Sequence, residues 1–305
     1  MKRDPGLYDY LPYDAERPKI KWPNGAHVAF MVAPNIEFYE LDPPMNPTRP
    51  SWPRPVPDIT GYTYRDYGNR AGFWRMMDVI DGCGIRGTVS LNVSMCDHHP
   101  EIIRECASRG WEFFSHGTYN GRYMYNMSEE QERQLLRDSL DKIQNHLGQS
   151  LDGWLAPALT YTEHTIDIVA EMGLRYVCDL FHDDQPTPLN TRSGKLISMP
   201  YSIEVNDTGS FNVYRLSPNR YCETLKRQFD RLYQEGETSG TVMCAPLHPY
   251  LVGHPLRIDA FKEALTYITG HDKVWFATGR EIAKHFTDNY FDAFKAASHP
   301  VGEAP

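Results

Sequence analysis

The chain has 305 residues, of which 41% are hydrophobic and 23% charged, and its formal net charge is −9. This composition is that of an ordinary globular protein. A chain of this length can bury roughly 75% of the surface that its unfolded form exposes, which excludes a disordered chain, a collagen and a disulfide-stapled miniprotein. The negative charge provides no basic surface for nucleic acid or an anionic membrane, so we expect neither as a partner.

The apolar runs and the cysteines indicate the cellular compartment of the protein. The charged start of the chain is not followed by the run of roughly 7–15 apolar residues that a secretory signal needs. No stretch approaches the roughly 18 apolar residues of a membrane span. The six cysteines form no CxxC pair and show no spacing typical of a zinc ribbon or a disulfide ladder. We therefore expect reduced, buried thiols in a cytoplasmic protein.

Short apolar runs alternate along the chain with longer segments of helical periodicity, most of which are followed by glycine. The predicted strands are His27–Glu37, Gly87–Val93, Trp111–His116, Asp152–Pro157, Arg175–Phe181, Leu196–Ser202, Thr241–His248 and Lys273–Thr278. The predicted helices are Arg70–Asp81, Pro100–Arg109, Ser128–Leu147, Glu163–Met172, Tyr221–Glu235, Ile258–Thr269 and Arg280–Ala297. Ser128 and Gln131 have the spacing of a capping box at a helix start.

Repeated strand–helix units require parallel pairing with right-handed crossovers. This many units favours an α/β barrel over a doubly wound sheet, whose GxGxxG phosphate turn is absent here. No linker-like change of composition divides the chain. We predict a single catalytic domain over residues 1–305, with a barrel at about 25–290, an N-terminal extension at 1–24 and a proline-rich loop at 41–60.

Polar side chains stand at the carboxyl ends of the predicted strands, where parallel barrels carry their chemistry. The first strand ends in Asn35-Ile36-Glu37, the third in His116 and the seventh in His248. An isolated residue of this kind often only caps a turn. One carboxylate and two imidazoles at converging strand ends instead indicate an acid–base site.

These strand ends resemble the motifs of the polysaccharide deacetylase superfamily, whose NodB-homology fold is a distorted (β/α)7-type barrel. In that family the first strand ends in Thr-Phe-Asp-Asp-Gly, a base followed by a metal ligand. Glu37 stands at the base position here, and Phe38 stands at the ligand position. The His-Ser/Thr-x-x-His motif keeps His116 but has Asn120 in place of its second histidine, and the Leu-x-His motif keeps His248. The family's Arg-x-Pro motif lacks its arginine.

The resemblance thus implies that the acid–base positions persist while two of three metal ligands are replaced. Catalytic zinc normally takes three protein ligands and one open position. We therefore predict a metal-independent site with no cofactor. A divalent metal such as zinc, if one were bound, would have to use Glu37, His116 and Asn120.

The stretch Arg65–Arg75, with the sequence RDYGNRAGFWR, is similar to a signature of the deacetylase-like allantoinases and cyclic imide hydrolases. This resemblance implies a hydrolase of non-peptide carbon–nitrogen bonds that opens a small cyclic amide, which would be a ureide, a hydantoin or an imide. It also implies a cytoplasmic homo-oligomer, a dimer or a tetramer, that needs no added metal.

For such a reaction we expect Glu37 to act as general base on water. Burial beside Phe38 and Tyr39 should raise the pKa of Glu37 towards neutrality, because desolvation disfavours the carboxylate. We expect His248 to protonate the leaving nitrogen, and His116 and Asn120 to hold the substrate carbonyl or the water.

We expect five further residues to contact the substrate: Asn35, Arg70, Tyr119, Trp154 and Asp179. Arg70 would clamp a carbonyl or carboxylate, or else form a salt bridge with Asp66. Tyr119 and Trp154 would wall a flat ring, or else fill the core. Asp179 would support a histidine, or else bind only a backbone amide.

Two other functions stay open at this stage. A metal-dependent deacetylase of an N-acetylated sugar or a linear amide would need a substitute ligand. A non-catalytic binding protein is suggested by the replaced ligands but opposed by the retained Glu37 and His248. The segment Pro43–Pro57, with seven prolines, follows Glu37 and is stiff without being helical. It would be a wall, a lid, a subunit contact or a simple surface excursion.

Overall fold

A curled, mostly parallel sheet organises the part of the chain that the structure, a computed structural model, describes: residues 6–14, 16–42 and 57–299. Its nine strands are β1 (Val28–Ile36), β2 (Thr88–Leu91), β3 (Glu112–Ser115), β4 (Gly153–Trp154), β5 (Tyr176–Val177), β6 (Thr187–Pro188), β7 (Ile197–Ser198), β8 (Thr241–Leu247) and β9 (Val274–Phe276). Their order is β6-β7-β5-β4-β3-β2-β1-β8, and β9 also pairs with β1. Only the β6–β7 pair is antiparallel among these described strands. The predicted distorted α/β barrel is confirmed as a single curled domain.

All nine residues of β1 are buried, because both faces of this central strand are covered. Val28, Phe30 and Val32 belong to one apolar cluster. Alternate residues, including Met31, belong to the cluster on the other face. The register pairs Pro34 with Leu247 of β8, so the carboxyl ends of β1 and β8 lie side by side.

Helices cover the sheet. They are α1 (Ile59–Tyr67), α2 (Phe73–Gly82), α3 (Met95–His98), α4 (Pro100–Ser108), α5 (Glu129–Leu147), α6 (Thr165–Glu171), α7 (Pro218–Glu235), α8 (Pro249–Val252), α9 (Ile258–Thr269), α10 (Gly279–Asn289) and α11 (Phe291–Ala297). Single turns of 3-10 helix at Pro23–Gly25 and Pro157–Leu159 and of π-helix at Gly68–Gly72 and Gly209–Val213 connect them. The predicted capping box at Ser128 is confirmed at the start of α5.

Several element bounds differ from the prediction. The helix predicted from Arg70 begins at Phe73, because residues 68–72 form a π turn after the unpredicted α1. The helix predicted from Tyr221 begins at Pro218, where Ser217 accepts a hydrogen bond from the amide of Arg220. The predicted tail helix is divided into α10 and α11.

Four further expectations concern the N-terminal extension, the cysteines, membrane-spanning helices and the proline-rich segment. Ile20 and Trp22 of the predicted N-terminal extension are buried in the core. All six cysteines lie in the described part and are unpaired, and five of them are buried, as predicted for the thiols. Among the described helices, none combines the length and apolar character that a membrane crossing needs. The predicted wall or lid at Pro43–Pro57 falls outside the described residues except for Pro57.

Candidate active site

A cavity of about 510 Å³ opens at the carboxyl ends of the parallel strands. Glu37 follows β1, His116 follows β3 and His248 follows β8, and all three side chains line it. Asn35 and Asn120 line it as well. Five of the nine residues predicted for the site are therefore brought together at this edge of the sheet.

Glu37 is the centre of the cavity's charged groups. Its Oε1 lies 3.3 Å from His116 Nε2 and 3.6 Å from His248 Nε2. The hydroxyl of Tyr39 donates a hydrogen bond of 2.8 Å to Oε2. Burial alone would raise the pKa of Glu37, but the adjacent imidazoles of His248 and His116 hold that pKa well below its usual value. Our expectation of a pKa near neutrality was wrong, because the two neighbouring imidazoles outweigh desolvation.

His248 lies between two carboxylates. Its Nδ1 is 2.6 Å from Asp207 Oδ1, and its backbone amide donates to Asp207 Oδ2 at 2.7 Å. Burial alone would lower the pKa of His248, yet Asp207 and Glu37 raise that pKa well above its usual value. These shifts favour an ionised Glu37 beside a protonated His248.

Hydrogen bonds hold both the imidazole ring and the backbone of His116. Its Nδ1 lies 2.9 Å from the carbonyl oxygen of Leu155, which can only accept, so Nδ1 carries a proton and Nε2 faces Glu37. The side-chain amide of Asn92 donates to the His116 carbonyl and accepts from the Phe38 amide. One side chain of the β2 end thereby ties the ends of β1 and β3 together.

The backbone after His116 requires glycine. Gly117 has a φ of +69°, and a Cβ there would lie 2.6 Å from Pro157 Cγ. Any other residue would be strained in conformation and would collide with the segment that carries Leu155. Gly117 therefore fixes the path by which the chain turns from His116 towards Asn120.

The stretch Arg65–Arg75 holds the segment that follows His248. A Cβ at Gly72 would lie 2.0 Å from the carbonyl oxygen of Pro249, and one at Gly68 would lie 2.7 Å from the amide nitrogen of Tyr250. The π turn can therefore lie directly against α8 only because these positions are glycine. The stretch that resembles the family signature is thus a packing surface behind His248.

Two of the predicted substrate contacts point away from the cavity. The Arg70 side chain is 75% exposed, and its Nε binds Asp66 Oδ2 at 2.5 Å, which is the alternative that the sequence left open. Tyr119 packs edge-on against Phe38, with ring centroids 5.9 Å apart, and does not line the cavity. The prediction that these two contact the substrate is not supported by their placement.

Trp154 and Asp179, which were also predicted to contact the substrate, are buried beneath the cavity wall. Trp154 is fully buried in an apolar cluster. Asp179 accepts a hydrogen bond of 2.8 Å from the amide of Ala156, and burial raises its pKa to about 8. Both residues support the wall, and in both cases the structural alternative left open by the sequence describes their placement.

Several cavity residues were not predicted. Asp207 is completely buried beneath His248, and Arg65, Tyr201 and Tyr250 line the cavity. Asp207 lies at the start of the helical segment that leads into the π turn Gly209–Val213, and not at the end of a regular strand. Neither periodicity nor the strand-end rule marks such a position, so only the fold could reveal it.

The side chains present do not fit a catalytic zinc ion. Phe38 occupies the ligand position and stacks on His98, with ring centroids 3.8 Å apart and planes at 11°. Asn120 supplies an amide where the family has an imidazole. No three His, Cys, Asp or Glu side chains of the described residues are arranged to hold a metal ion. Metal independence stays a prediction to be measured.

Comparisons with known proteins agree with this arrangement. The family model "Polysaccharide deacetylase" matches residues 57–177. A Schizosaccharomyces pombe protein assigned as a polysaccharide deacetylase is 26% identical over 257 residues, which are 76% of this chain and 77% of that protein.

Solved structures extend the likeness over nearly the whole chain. The crystal structure of PuuE allantoinase has a TM-score of 0.81 at 26% identity and covers 95% of this chain and 98% of its own. A Pseudomonas aeruginosa protein assigned as a polysaccharide deacetylase has a TM-score of 0.78 at 27% identity, with 91% and 97% covered. By the family model over residues 57–177 and these structural neighbours, the chain carries a polysaccharide deacetylase (NodB-like) domain and is a polysaccharide deacetylase-like hydrolase of carbon–nitrogen bonds.

Proposed function

We propose that this hydrolase opens a small cyclic amide, a ureide, hydantoin or imide, by general acid–base catalysis without a metal. The observation that carries the proposal is the array Glu37–His248–Asp207. This array would supply an ionised base and a protonated acid side by side, and Phe38 stands where the resembled family has a metal ligand. The likeness to PuuE allantoinase over 95% of the chain supports a ring substrate.

In the proposed reaction, Glu37 takes a proton from water as the water oxygen bonds to the ring carbonyl carbon. The carbonyl π electrons move to the oxygen and form a tetrahedral intermediate. When the carbonyl reforms, the carbon–nitrogen bond breaks and His248 gives its Nε2 proton to the leaving nitrogen. The proton held by Glu37 then returns to His248, which lies 3.6 Å away, and restores the resting site.

Hydrogen-bond donors must stabilise the oxyanion in this mechanism. We assign this role to the side-chain amide of Asn120 and the imidazole of His116, which both line the cavity. A single well-placed donor contributes about 3 kcal/mol to such a transition state.

The test is a panel of hydantoins, imides and ureides with chelator-treated protein and the variants Glu37→Gln and His248→Ala. We expect ring opening by the wild type, and a loss in kcat on the order of 1,000-fold in either variant. The matched controls are Glu40→Gln and His146→Ala. Glu40 lies on the same loop as Glu37 and forms an ion pair with Arg122, and His146 lies on α5. Turnover near wild type in Glu37→Gln would contradict the assigned base, and activity abolished by chelation would contradict metal independence.

Deacetylation of an N-acetylated sugar or another linear amide is the second candidate, favoured by the family match over residues 57–177. N-acetylglucosamine oligomers added to the same panel distinguish the two. Acetate release without ring opening would replace the proposal.

Assembly and location are proposals of the same kind. The resemblance of residues 65–75 supports a homo-oligomer in the cytoplasm, whose partner is only its small-molecule substrate. Light scattering of the purified chain, with a mass of two or four subunits expected, tests the assembly, and imaging of the tagged chain in cells tests the location.

A further inference from the structure

The side-chain amide of Asn120 is uncommitted at the edge of the cavity. Its Oδ1 is buried and has no hydrogen-bond partner among the described residues. Its backbone is fixed, because the Asn120 amide donates to the Phe38 carbonyl at 3.1 Å. Leaving a buried acceptor unpaired costs about 1–3 kcal/mol, and native structures rarely do so. Because Asn120 lines the cavity, a group that enters the cavity can supply the missing partner.

The other asparagines at this edge of the sheet have structural partners. Asn35 binds the Tyr201 hydroxyl at 2.9 Å. Asn69 donates to the Glu37 carbonyl, and Asn92 joins Phe38 to His116. Of the remaining asparagines that line the cavity, Asn206 accepts from the Thr208 amide and Asn212 is exposed to solvent. Among the described asparagines that line the cavity, Asn120 alone has a buried and unpaired amide oxygen.

A carboxamide presents an acceptor and a donor side by side. A small ring holds its amide in the cis form, so that the N–H and the C=O lie on the same edge and match a carboxamide with two parallel hydrogen bonds. A linear secondary amide is trans, with its N–H and C=O on opposite sides. A linear amide can therefore form only one of these two bonds with a single carboxamide.

We propose that Asn120 recognises the cis N–H/C=O edge of the ring, so that the substrate class is a cyclic amide with an unsubstituted ring nitrogen. This inference rests on the proposed ring-opening function. Oδ1 accepts from the ring N–H, and Nδ2 donates to the neighbouring carbonyl. Both bonds lie in the plane of the ring, which leaves its faces accessible to the attacking water and to the proton from His248.

This role explains why asparagine stands at residue 120, where the resembled family has histidine. A histidine at residue 120 could offer one nitrogen to a metal, but it could not donate and accept along one amide edge. Asn120 therefore replaces a metal contact by selection for the shape of the amide, beside the base and the acid that act on it.

The test compares succinimide with N-methylsuccinimide in the wild type, Asn120→Leu, Asn120→Ala and the control Asn212→Leu. We expect the wild type to prefer succinimide on the order of 100-fold in kcat/KM, since methylation leaves the buried Oδ1 unpaired. Asn120→Leu keeps a similar volume without hydrogen-bonding groups, so the preference should fall to less than about 5-fold, because both bonds are lost. Asn212→Leu should keep the wild-type ratio. Thermal unfolding confirms that each variant is folded, and Asn120→Ala serves if the leucine variant is not.

Three outcomes would overturn the inference. A wild type that does not distinguish the two imides would contradict it without any variant. An unchanged preference in Asn120→Leu or Asn120→Ala would show that methylation acts through steric exclusion alone, while ring opening still stands. Hydrolysis of linear amides only, with no imide opened, would instead overturn the proposed function and this inference together.

Discussion

His248 lies between two carboxylates that differ in role. Asp207 is fully buried and holds Nδ1 at 2.6 Å, whereas Glu37 lies 3.6 Å from Nε2 across the reacting space. The bond to Asp207 fixes the ring orientation and stabilises the imidazolium. Asp207 is therefore a positioning residue that acts through His248.

Replacing Asp207 by asparagine should shift the pH profile of the enzyme. In the proposed mechanism the rate requires protonated His248, so it should fall as pH rises through the pKa of His248, which Asp207 raises. In Asp207→Asn that pKa drops, so the alkaline limb of kcat/KM should move to lower pH. We expect kcat at neutral pH to fall by about 100-fold or more. An alkaline limb that stays in place would contradict this role for Asp207.

The residues of the site differ in how far the sequence could predict them. Glu37, His116 and His248 follow regular strands, so the strand-end rule and the motifs placed them before the fold was known. Neither identifies Asp207, because it lies at the start of a short helical segment and not at a strand end. Arg70 and Arg65 lie five residues apart, and only the position of α1 and the π turn decides which of them faces the cavity.

At the scale of elements, the contact between the π turn and α8 positions the acid. Gly72 and Pro249 approach so closely that the backbone of one segment lies on the backbone of the other. Because α8 begins directly after His248, a displacement of this helix is transmitted to the imidazole. A displacement of about 1 Å at a catalytic group can cost on the order of 100-fold in rate.

Gly72→Ala should therefore impair both stability and catalysis. The added Cβ would lie 2.0 Å from the Pro249 carbonyl oxygen, where neither backbone can yield easily. We expect a loss of about 2–3 kcal/mol in the free energy of unfolding and at least about a 10-fold loss in kcat. Urea unfolding and steady-state kinetics measure the two effects.

Gly82→Ala is the matched control, since Gly82 lies in α2 and a Cβ there would meet no atom within 4 Å. It should leave kcat unchanged and should not reduce stability. Equal effects of the two substitutions would show that the close approach of α8 is unimportant.

Hydrophobic periodicity predicted most elements, because long amphipathic helices and buried strands have strong patterns. It missed α1 and the π turn, where glycines and tyrosines give no helical period and packing against α8 decides the conformation. It also missed β6, a two-residue strand that pairs antiparallel with β7. Such short segments gain their structure from their neighbours.

At the scale of the whole molecule, a buried carboxyl group lies at the end of the sheet opposite the cavity. Glu112, at the start of β3, accepts hydrogen bonds from the Tyr176 hydroxyl at 2.8 Å and from the Arg280 amide at 2.7 Å. Burial raises the pKa of Glu112 to about 7 from 4.5 in spite of these bonds. Its contribution to stability is therefore complete below pH 4.5 and is lost as pH rises through 7.

Glu112→Gln should remove this pH dependence, because glutamine stays neutral. From pH 5 to pH 8 the free energy of unfolding of the wild type should fall relative to the variant by about 3 kcal/mol at most. Urea unfolding at both pH values measures the difference. Glu163→Gln, at an exposed side chain, should show no such change. A constant difference between wild type and Glu112→Gln would place the titration elsewhere.

The stack of Phe38 on His98 has a consequence for any attempt to restore a metal site by substitution. Phe38→Asp alone would remove the stack and bring a second carboxylate beside Glu37, while Asn120 still offered no imidazole to a metal. Asn120→His alone would add an imidazole beside His116, while Phe38 would still leave the third ligand position without a donor atom. Both exchanges would therefore have to be made together to restore the ligand set of the resembled family, and we expect neither single variant to gain metal-dependent activity.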